Sequence, residues 1–513
     1  MDGRSTRGRR RPNDPVDRDH FNQISHVPIP ELIEIVPLEK PVSAEITVPG
    51  SKSITNRALI LAALAEGQTT LQGALWSEDT QVMVESLRKL GFTLEVEPDP
   101  DEFCNRAIIV TGLGGRLPKA GTSEQPLELF VGNAGTAARF LAALVCLGQG
   151  AYRLHGAPRM HERPQAALFR ALLELGYKID SPNDRLPAVI HGAGPRAAQC
   201  RVSIEKSSQF ASALLLCAKA GQWHVIVSGE DPEESSYIGM TTSLLRAFPG
   251  NGGTFAIEAD ASSGSYFVAA AQIQRLALYS EVVPANAPAR HEVGRAVPGA
   301  PGPARPASGV KAKPAPEIPP GEKGHRQVSA DVDSLAIRVA HWPSSKWQVD
   351  ERFMDWMSHF TGEKAAARTV SRHLDLGDSI MTLMVLAPLA GEPWKFSDLG
   401  RLRVQESERV AAFRQELTRC GARVEEEGDT LTVFPSELHG AEIETYNDHR
   451  MAMCFAILGL KVPGIKLKNP ACVKKTFPNF FQKLATKPPH GLGALILDAR
   501  TRHSLRVEEL FAD

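Results

Sequence analysis

No stretch of the 513 residues reaches the roughly 18 to 20 consecutive apolar positions that a membrane-spanning helix needs; the best runs, such as Phe140 to Gly148, are far shorter. An excess of one charge is also missing. Lys and Arg number 58 against 59 Asp and Glu, a formal net charge of −1, which excludes a diffuse electrostatic hold on nucleic acid or a membrane surface, so any anion site must be local. Paired cysteines are absent. Cys104, Cys146, Cys200, Cys217, Cys420, Cys454 and Cys472 are scattered, odd in number and without a CxxC, which excludes a disulfide framework and a zinc ribbon. Several sit among aliphatic residues as small buried hydrophobes, and a reducing cytoplasm suits them. The first twenty residues hold an arginine cluster but no apolar h-region, so a secretory signal is not expected. The acids Asp2, Asp14, Asp17 and Asp19 argue against a transit peptide, and residues 1 to about 30 read as a disordered tail.

What remains, 42% hydrophobic and 23% charged, is the composition of a soluble globular protein. The length exceeds what one hydrophobic core supports, so two or more domains are expected. One unit recurs: an amphipathic helix ending in glycine, then a short strand. In QVMVESLRKLGFTLEVE, Met83, Leu87 and Leu90 share a helical face, Gly91 supplies a left-handed turn, and Phe92, Leu94 and Val96 alternate as in a strand. FRALLELGYKID repeats the unit at Gly176 and FRQELTRCGARVEEE at Gly421, with looser copies at Gly362 and around Gly250. Such repetition implies an architecture assembled from similar βα modules. Ten prolines between Pro284 and Pro320 mark an inserted linker that can form neither a helix nor a central strand. Residues 486–513 read as a weakly patterned appendage.

Six polar segments place charges at the ends of apolar elements, where α/β proteins hold ligands. In ITVPGSKSITNRAL, a strand is broken by Pro49-Gly50 and a helix opens at Ser51 to Thr55; a helix N-terminus beside Lys52 and Arg57 makes an oxyanion site, or a capped helix with solvated bases. LFVGNAGTAARF repeats strand, tight turn and helix, with Arg139 on the helix; it has neither a Walker lysine nor a GxGxxG order. HGAPRMHERP carries Arg159, His161, Glu162 and Arg163. In RVQESERVAAF, Arg403, Glu406 and Arg409 recur at spacing three, as on one face of a helical start, where surface ion pairs are the plainer alternative. TYNDHRMAM sets Asp448, His449 and Arg450 before a nearly all-apolar helix, and Lys474-Lys475 precedes Thr476-Phe477-Pro478. Together they nominate one cleft with two helix N-termini and about six cations, suited to ligands rich in phosphate and carboxylate.

These segments, in this order, resemble the signature set of the 5-enolpyruvylshikimate-3-phosphate synthase family over residues 33–485; further matching stretches are SSQFASALLL, DASSGSYFVAAA, LGDSIMT and KKTFPNFF. The resemblance implies an α/β, two-domain enolpyruvyl transferase fold, each domain three βαβαββ units around an inside-out α/β barrel. Residues 51–257 would form the shikimate-phosphate-side domain, and residues 33–50 with 258–485 the second. It implies transfer of the enolpyruvyl group of phosphoenolpyruvate to the 5-hydroxyl of shikimate 3-phosphate. Lys52, Asp378 and Glu406 would carry the chemistry. Lys52, Ser53, Arg57, Ser207, Ser208, Gln209, Tyr237, Asp378 and Gln405 would hold shikimate 3-phosphate. Lys52, Asn133, Gly135, Arg159, Gln209, Arg409, Arg450 and Lys475 would hold phosphoenolpyruvate. No metal or organic cofactor is called for, nor a nucleic-acid or membrane partner, and a cytoplasmic monomer is expected.

Three positions depart from the family pattern. Gln405 stands where a lysine usually precedes the catalytic glutamate, with Arg401 or another nearby cation to compensate. Phe140 replaces a proline, which bears on glyphosate, a competitor at the phosphoenolpyruvate subsite beside Gly135. Glu234 replaces a serine three residues before Tyr237. UDP-N-acetylglucosamine enolpyruvyl transferase, which shares the fold, normally has an AKN-type first loop and a cysteine near PRM; here the loop is SKSITNR and no cysteine lies between Cys146 and Cys200. A non-catalytic scaffold homologue is the alternative of a different class.

Overall fold

The structure, a computed structural model, describes residues 28–229, 232–282, 336–361 and 368–512. The expected tail up to residue 27, the proline-rich insert, the copy at Gly362 and the Glu234 side chain lie outside the described residues.

The helix–glycine–strand units form where the pattern places them. The helices Glu78–Lys89, Ala166–Glu174 and Arg409–Arg419 lead to the strands Thr93–Pro98, Lys178–Asp180 and Val424–Glu427. Gly91, Gly176 and Gly421 between them take φ of 95°, 86° and 92°, left-handed values that a side chain would oppose. The copy around Gly250 differs: the helix Pro232–Ala247 stops before Pro249, and the left-handed steps fall on Gly252 and Gly253.

Among the described residues the strands form four four-stranded sheets and two parallel pairs. Every four-stranded sheet has one pairing scheme, a parallel contact followed by two antiparallel ones. Two such sheets and the parallel pair Ala198–Ser203 with Trp223–Ser228 surround one hydrophobic core, running from Ile54 to Ile257. The other two, with the pair Ala44–Ile46 and Ile337–Val339, surround a second core drawn from Ile29 to Val48 and from Tyr266 onward. Each body thus has three sheet units.

The helices lie inside. His449–Gly459, Ile380–Leu386 and all but one residue of Gly135–Leu144 are buried along their whole length, as their lack of a polar face dictates. An element apolar all round finds no water-facing position, so the amphipathic sheets become the outer layer.

The chain passes between the bodies twice, side by side. Gly50 and Ala259 form an antiparallel bridge, Ser51 N donates to the Glu258 carbonyl (2.8 Å), and Asp260 N to that of Pro49 (2.9 Å). A further tie joins the bodies beside these crossings. The buried Glu102 carboxylate accepts from Thr47 Oγ1 (2.6 Å), Asn479 Nδ2 (2.7 Å) and Lys483 Nζ (2.7 Å).

Two expectations at the chain ends change. Ile29, assigned to the tail, is buried in the second core. The segment read as an appendage supplies a strand: Ile496–Asp498 pairs antiparallel with Leu32–Ile35, and Leu510 is buried in the second core. With only three residues, this strand carries too short an alternation to be seen in sequence. Leu510→Ala is expected to cost about 2–5 kcal/mol, seen as a lower urea midpoint with unchanged slope; an unaffected midpoint would return the segment to an appendage.

Candidate active site

Two helix N-termini converge on one ion pair. The helix Arg409–Arg419 is capped by Glu408, whose carboxylate accepts from Ala411 N (2.7 Å); His449–Gly459 is capped by Asp448, which accepts from Arg450 N (3.0 Å). Arg409 forks onto the same Asp448, Nε to Oδ2 at 2.7 Å and Nη2 to Oδ1 at 3.1 Å. Both side chains are buried, so the fork supplies partners that water cannot. Tyr446 and Asn447 ahead of Asp448 take φ of 55° and 52°, a left-handed step of about 1–3 kcal/mol each. It is held by Tyr446 Oη to Glu416 (2.9 Å) and Asn469 to Asn447 (3.1 Å).

Asp378 sits among guanidinium groups. Its Oδ1 lies 3.0 Å from Arg372 Nη2 and 3.7 Å from Arg409 Nη1, and its Oδ2 3.0 Å from Arg450 Nε. Burial pushes its carboxyl up, but Arg450, Arg409 and Arg372 outweigh it and hold the group far below the usual carboxylate range. Glu406 is 2.8 Å from Lys475 Nζ and 3.0 Å from His449 Nδ1. Burial opposes its charge, yet the contact with His449 and the charges of Lys475 and Arg409 keep it ionised. Burial lowers the His449 pKa against the pull of Glu406, and the contact between the two orients Glu406. Glu406, Asp448 and His449 bring ligand atoms within 4.8 Å of one another, as in a cation site. Lys475 and Arg409 already occupy those carboxylates.

Opposite stands the other body. Lys52, first residue of the helix Lys52–Leu64, reaches Asp79 at 3.4 Å. Arg163 donates to the Asn133 carbonyl (3.1 Å) and feels Glu406, Asp79 and Arg409; Lys475 is in turn raised by Glu406 and Asp79 against its burial. The two faces therefore share one electrostatic site. At Gly135 a Cβ would lie 2.5 Å from both Arg139 Nη1 and Arg163 Nη2, so a side chain there would displace the ends of these two arginines. Ser207 caps the helix Ser208–Gly221 by accepting from Gln209 N (3.2 Å), and Tyr237 lies on Pro232–Ala247 beside Ser53 at a small cavity.

Several nominated residues stand elsewhere. Arg57 is buried inside its body, donating to Thr241 Oγ1 (2.8 Å), the Ser53 carbonyl (2.9 Å) and Ser212 Oγ (3.1 Å). The Phe140 ring lies 5.4 Å from its guanidinium, so this departure fills the core. Arg159 is half exposed on Glu162, and its neighbour Arg163 takes the central place. Arg403, Glu406 and Arg409 do not share a helical face. The helix begins only at Arg409, and Arg403 turns outward to Glu408 (2.9 Å), Glu426 (2.8 Å) and Asp429 (2.9 Å). Arg401, expected to offset the missing lysine, reaches across to the other body while its charge is still felt by Arg372. Its guanidinium spans the bodies to the carbonyls of Ile204 (3.1 Å), Glu205 (2.9 Å) and Lys206. Gln405 instead accepts a hydrogen bond from Arg409, which a lysine, having no acceptor, could not do. Missed by the sequence reading were Asp79, Arg372 and the central place of Arg163; Arg163 lay inside a nominated segment, whereas nothing local marked the other two.

Two three-unit bodies facing each other across a cleft of carboxylates and arginines have the fold of the enolpyruvyl transferases. Solved structures share the fold: an EPSP synthase from Acinetobacter baumannii aligns with TM-score 0.62 at 20% identity, covering 91% of this chain and 99% of that one. The enolpyruvyl transferase NikO from Streptomyces tendae aligns at 0.57 and 15%, covering 94% and 100%. The family model for EPSP synthase (3-phosphoshikimate 1-carboxyvinyltransferase) matches residues 36–251 and 349–484, and the chain belongs to that family. Curated relatives named 3-phosphoshikimate 1-carboxyvinyltransferase come from Trichormus variabilis, 34% identical over 474 residues (88% of this chain, 98% of the relative), and Opitutus terrae, 33% over 489 (90% and 98%).

The Asp378 cluster has a pH signature. Its folded carboxyl lies below the unfolded value of about 3.9, so the unfolded chain takes up that proton first as the pH falls. Its contribution to stability is full above about pH 4 and declines below it. Asp378→Asn is expected to flatten the acid limb of a urea-midpoint profile below about pH 4; an unchanged limb would show that the cluster is not ionised as described.

Proposed function

We propose that this cleft carries out its family's reaction with the residues just described. The reaction moves the enolpyruvyl group of phosphoenolpyruvate onto the 5-hydroxyl of shikimate 3-phosphate. The hydroxyl oxygen bonds to C2 while its proton passes to a carboxylate and another proton reaches C3. The tetrahedral adduct then loses a proton from the new methyl group and expels inorganic phosphate. The observation that carries the assignment is the convergence of Asp378, Glu406, Arg409, Arg450 and Lys475 opposite Lys52 and Arg163.

Both carboxylates enter ionised, so they serve as proton acceptors, and Asp378 is assigned to the shikimate hydroxyls. The proton for C3 then comes from an ammonium group, and Lys52, at the mouth of its helix, is assigned that duty. Arg409, Arg450, Lys475 and Arg163 receive the phosphate and carboxylate of phosphoenolpyruvate, with Gly135 and Asn133 permitting close approach. Ser53, Ser207, Ser208, Gln209 and Tyr237 face shikimate 3-phosphate, while Arg57 shapes that wall from behind. We further assign two bodies, residues 51–257 and, among the described residues, 28–50 with 258–512, closing about the paired crossings; a cytoplasmic monomer is assigned with them, the reducing compartment suiting seven free, buried cysteines. Glyphosate would meet Gly135 framed by Arg139 and Arg163, with Phe140 withdrawn into the core.

Phosphate release from shikimate 3-phosphate and phosphoenolpyruvate is the direct test, and a folded protein without turnover would sink the assignment. Lys52→Ala is expected to lower kcat by about 10²–10⁴-fold with the melting temperature unchanged. Arg163→Ala should raise KM for phosphoenolpyruvate about 10-fold or more, whereas an effect confined to shikimate 3-phosphate would move Arg163 to the other subsite.

A further inference from the structure

Asp350 takes no part in the chemistry above, yet it is a buried carboxylate in contact with the Asp378 turn. Its Oδ1 accepts from Gly377 N (2.7 Å), Ser379 N (3.2 Å) and Ser379 Oγ (2.6 Å), the residues on either side of Asp378. Three donors on one oxygen fix the turn as a rigid loop around the carboxylate. A Cβ at Gly377 would lie 2.9 Å from Val349 Cγ1 and 3.1 Å from Asp350 Oδ1, so the loop is pressed onto this segment as closely as glycine allows. The other oxygen, Oδ2, accepts from Ser262 Oγ at the start of the helix Ala261–Val282.

The same short segment grips the crossing between the bodies. Gln348 Oε1 accepts from Ala261 N (3.0 Å) and its Nε2 donates to the Ala259 carbonyl (2.9 Å). Ser345 Oγ donates to Glu258 Oε2 (2.8 Å), and the Trp347 ring stacks on Phe255 in the first body, centroids 6.4 Å apart and planes 1° from parallel. Residues 345–350 therefore touch the first body, the crossing at 258–262 and the Asp378 turn in one strap. A small cavity lined by Ser53, Tyr237 and Met240 on one side and Ser262, Trp347 and Gln348 on the other lies along it.

We propose that Asp350 is a positioning residue that, with Gln348, couples the geometry of the interbody crossing to the placement of Asp378 against the shikimate hydroxyls. The inference rests on the reading of Asp378 as a substrate-contacting carboxylate. Closure moves the crossing, and through Ser262 and Gln348 it moves the Asp378 turn with it, so the carboxylate reaches its working position only when both substrates hold the bodies together.

A double-mutant cycle tests this. Asp350→Asn keeps the shape but loses the charge, and is expected to lower kcat about 10- to 100-fold with both KM values within about twofold and the melting curve still cooperative. In an Asp378→Asn background the same change should cost less than about twofold more, because its effect passes through Asp378. Losses that multiply in full, or a kcat untouched by Asp350→Asn, would overturn the proposal. Full activity in Asp378→Asn alone would overturn both this inference and the assignment beneath it, while a damaged Asp378→Asn with multiplying losses removes this one only. If Asp350→Asn does not fold, Ser262→Ala, which cuts only the tie to the crossing, decides: about a 3- to 10-fold fall in kcat, again absent in the Asp378→Asn background, supports the coupling, and an unchanged kcat overturns it.

Discussion

The fork between Arg409 and Asp448 is the constraint on which the site depends. It joins the N-termini of two helices, one of them wholly buried, and nearly every charge in the second body's half of the cleft is placed relative to it. Arg409 also reaches Asp378, Glu406 and Gln405. Asp448 sets the register of His449 and Arg450, which in turn meet Glu406 and Asp378. A buried fork of this kind is costly to break from one side only, since the survivor is left charged and dry. The left-handed turn at Tyr446 and Asn447 is tolerated because it delivers Asp448 to this position.

The two bodies are joined by contacts of different kinds. Beside the crossings, Glu102 with Thr47, Asn479 and Lys483 makes a buried, many-partnered anchor. Across the cleft, Arg401 makes fans of hydrogen bonds to carbonyl oxygens just ahead of the helix carrying Ser208 and Gln209. The first contact has charge on both sides and little water, whereas the second pairs a charge with neutral carbonyls near solvent. The contact richest in paired charge thus lies beside the crossings, and the one made to neutral carbonyls lies across the cleft.

Much of this was legible in the chain. Helix ends at Gly91, Gly176 and Gly421 were visible because left-handed turns select glycine, and the site segments because charge abutting an apolar helix is locally conspicuous. What stayed hidden depended on distant partners. Arg57 and Arg163 look alike in sequence, yet Thr241 and Ser212 draw one inward while Asn133 and Glu406 hold the other at the cleft. The spacing of Arg403, Glu406 and Arg409 imitates a helix that Glu408, by capping, delays to Arg409. The strand at Ile496–Asp498 exists because Leu32–Ile35, more than 450 residues earlier, offers it an edge.

The near-neutral composition then has a local counterpart. In the second body's cluster, the four cations Arg372, Arg409, Arg450 and Lys475 face the three carboxylates Asp378, Glu406 and Asp448. Lys52 faces Asp79. Most of the cationic charge in the cleft is therefore already engaged by carboxylates, with cations in modest excess. Arg450, Arg409 and Arg372 together outweigh burial and hold the Asp378 proton affinity down, so an anion that drew any of these guanidinium charges away would raise it. On the proposed reading, substrate binding and activation of the base would then be one event, with the arginines shared between protein and ligand.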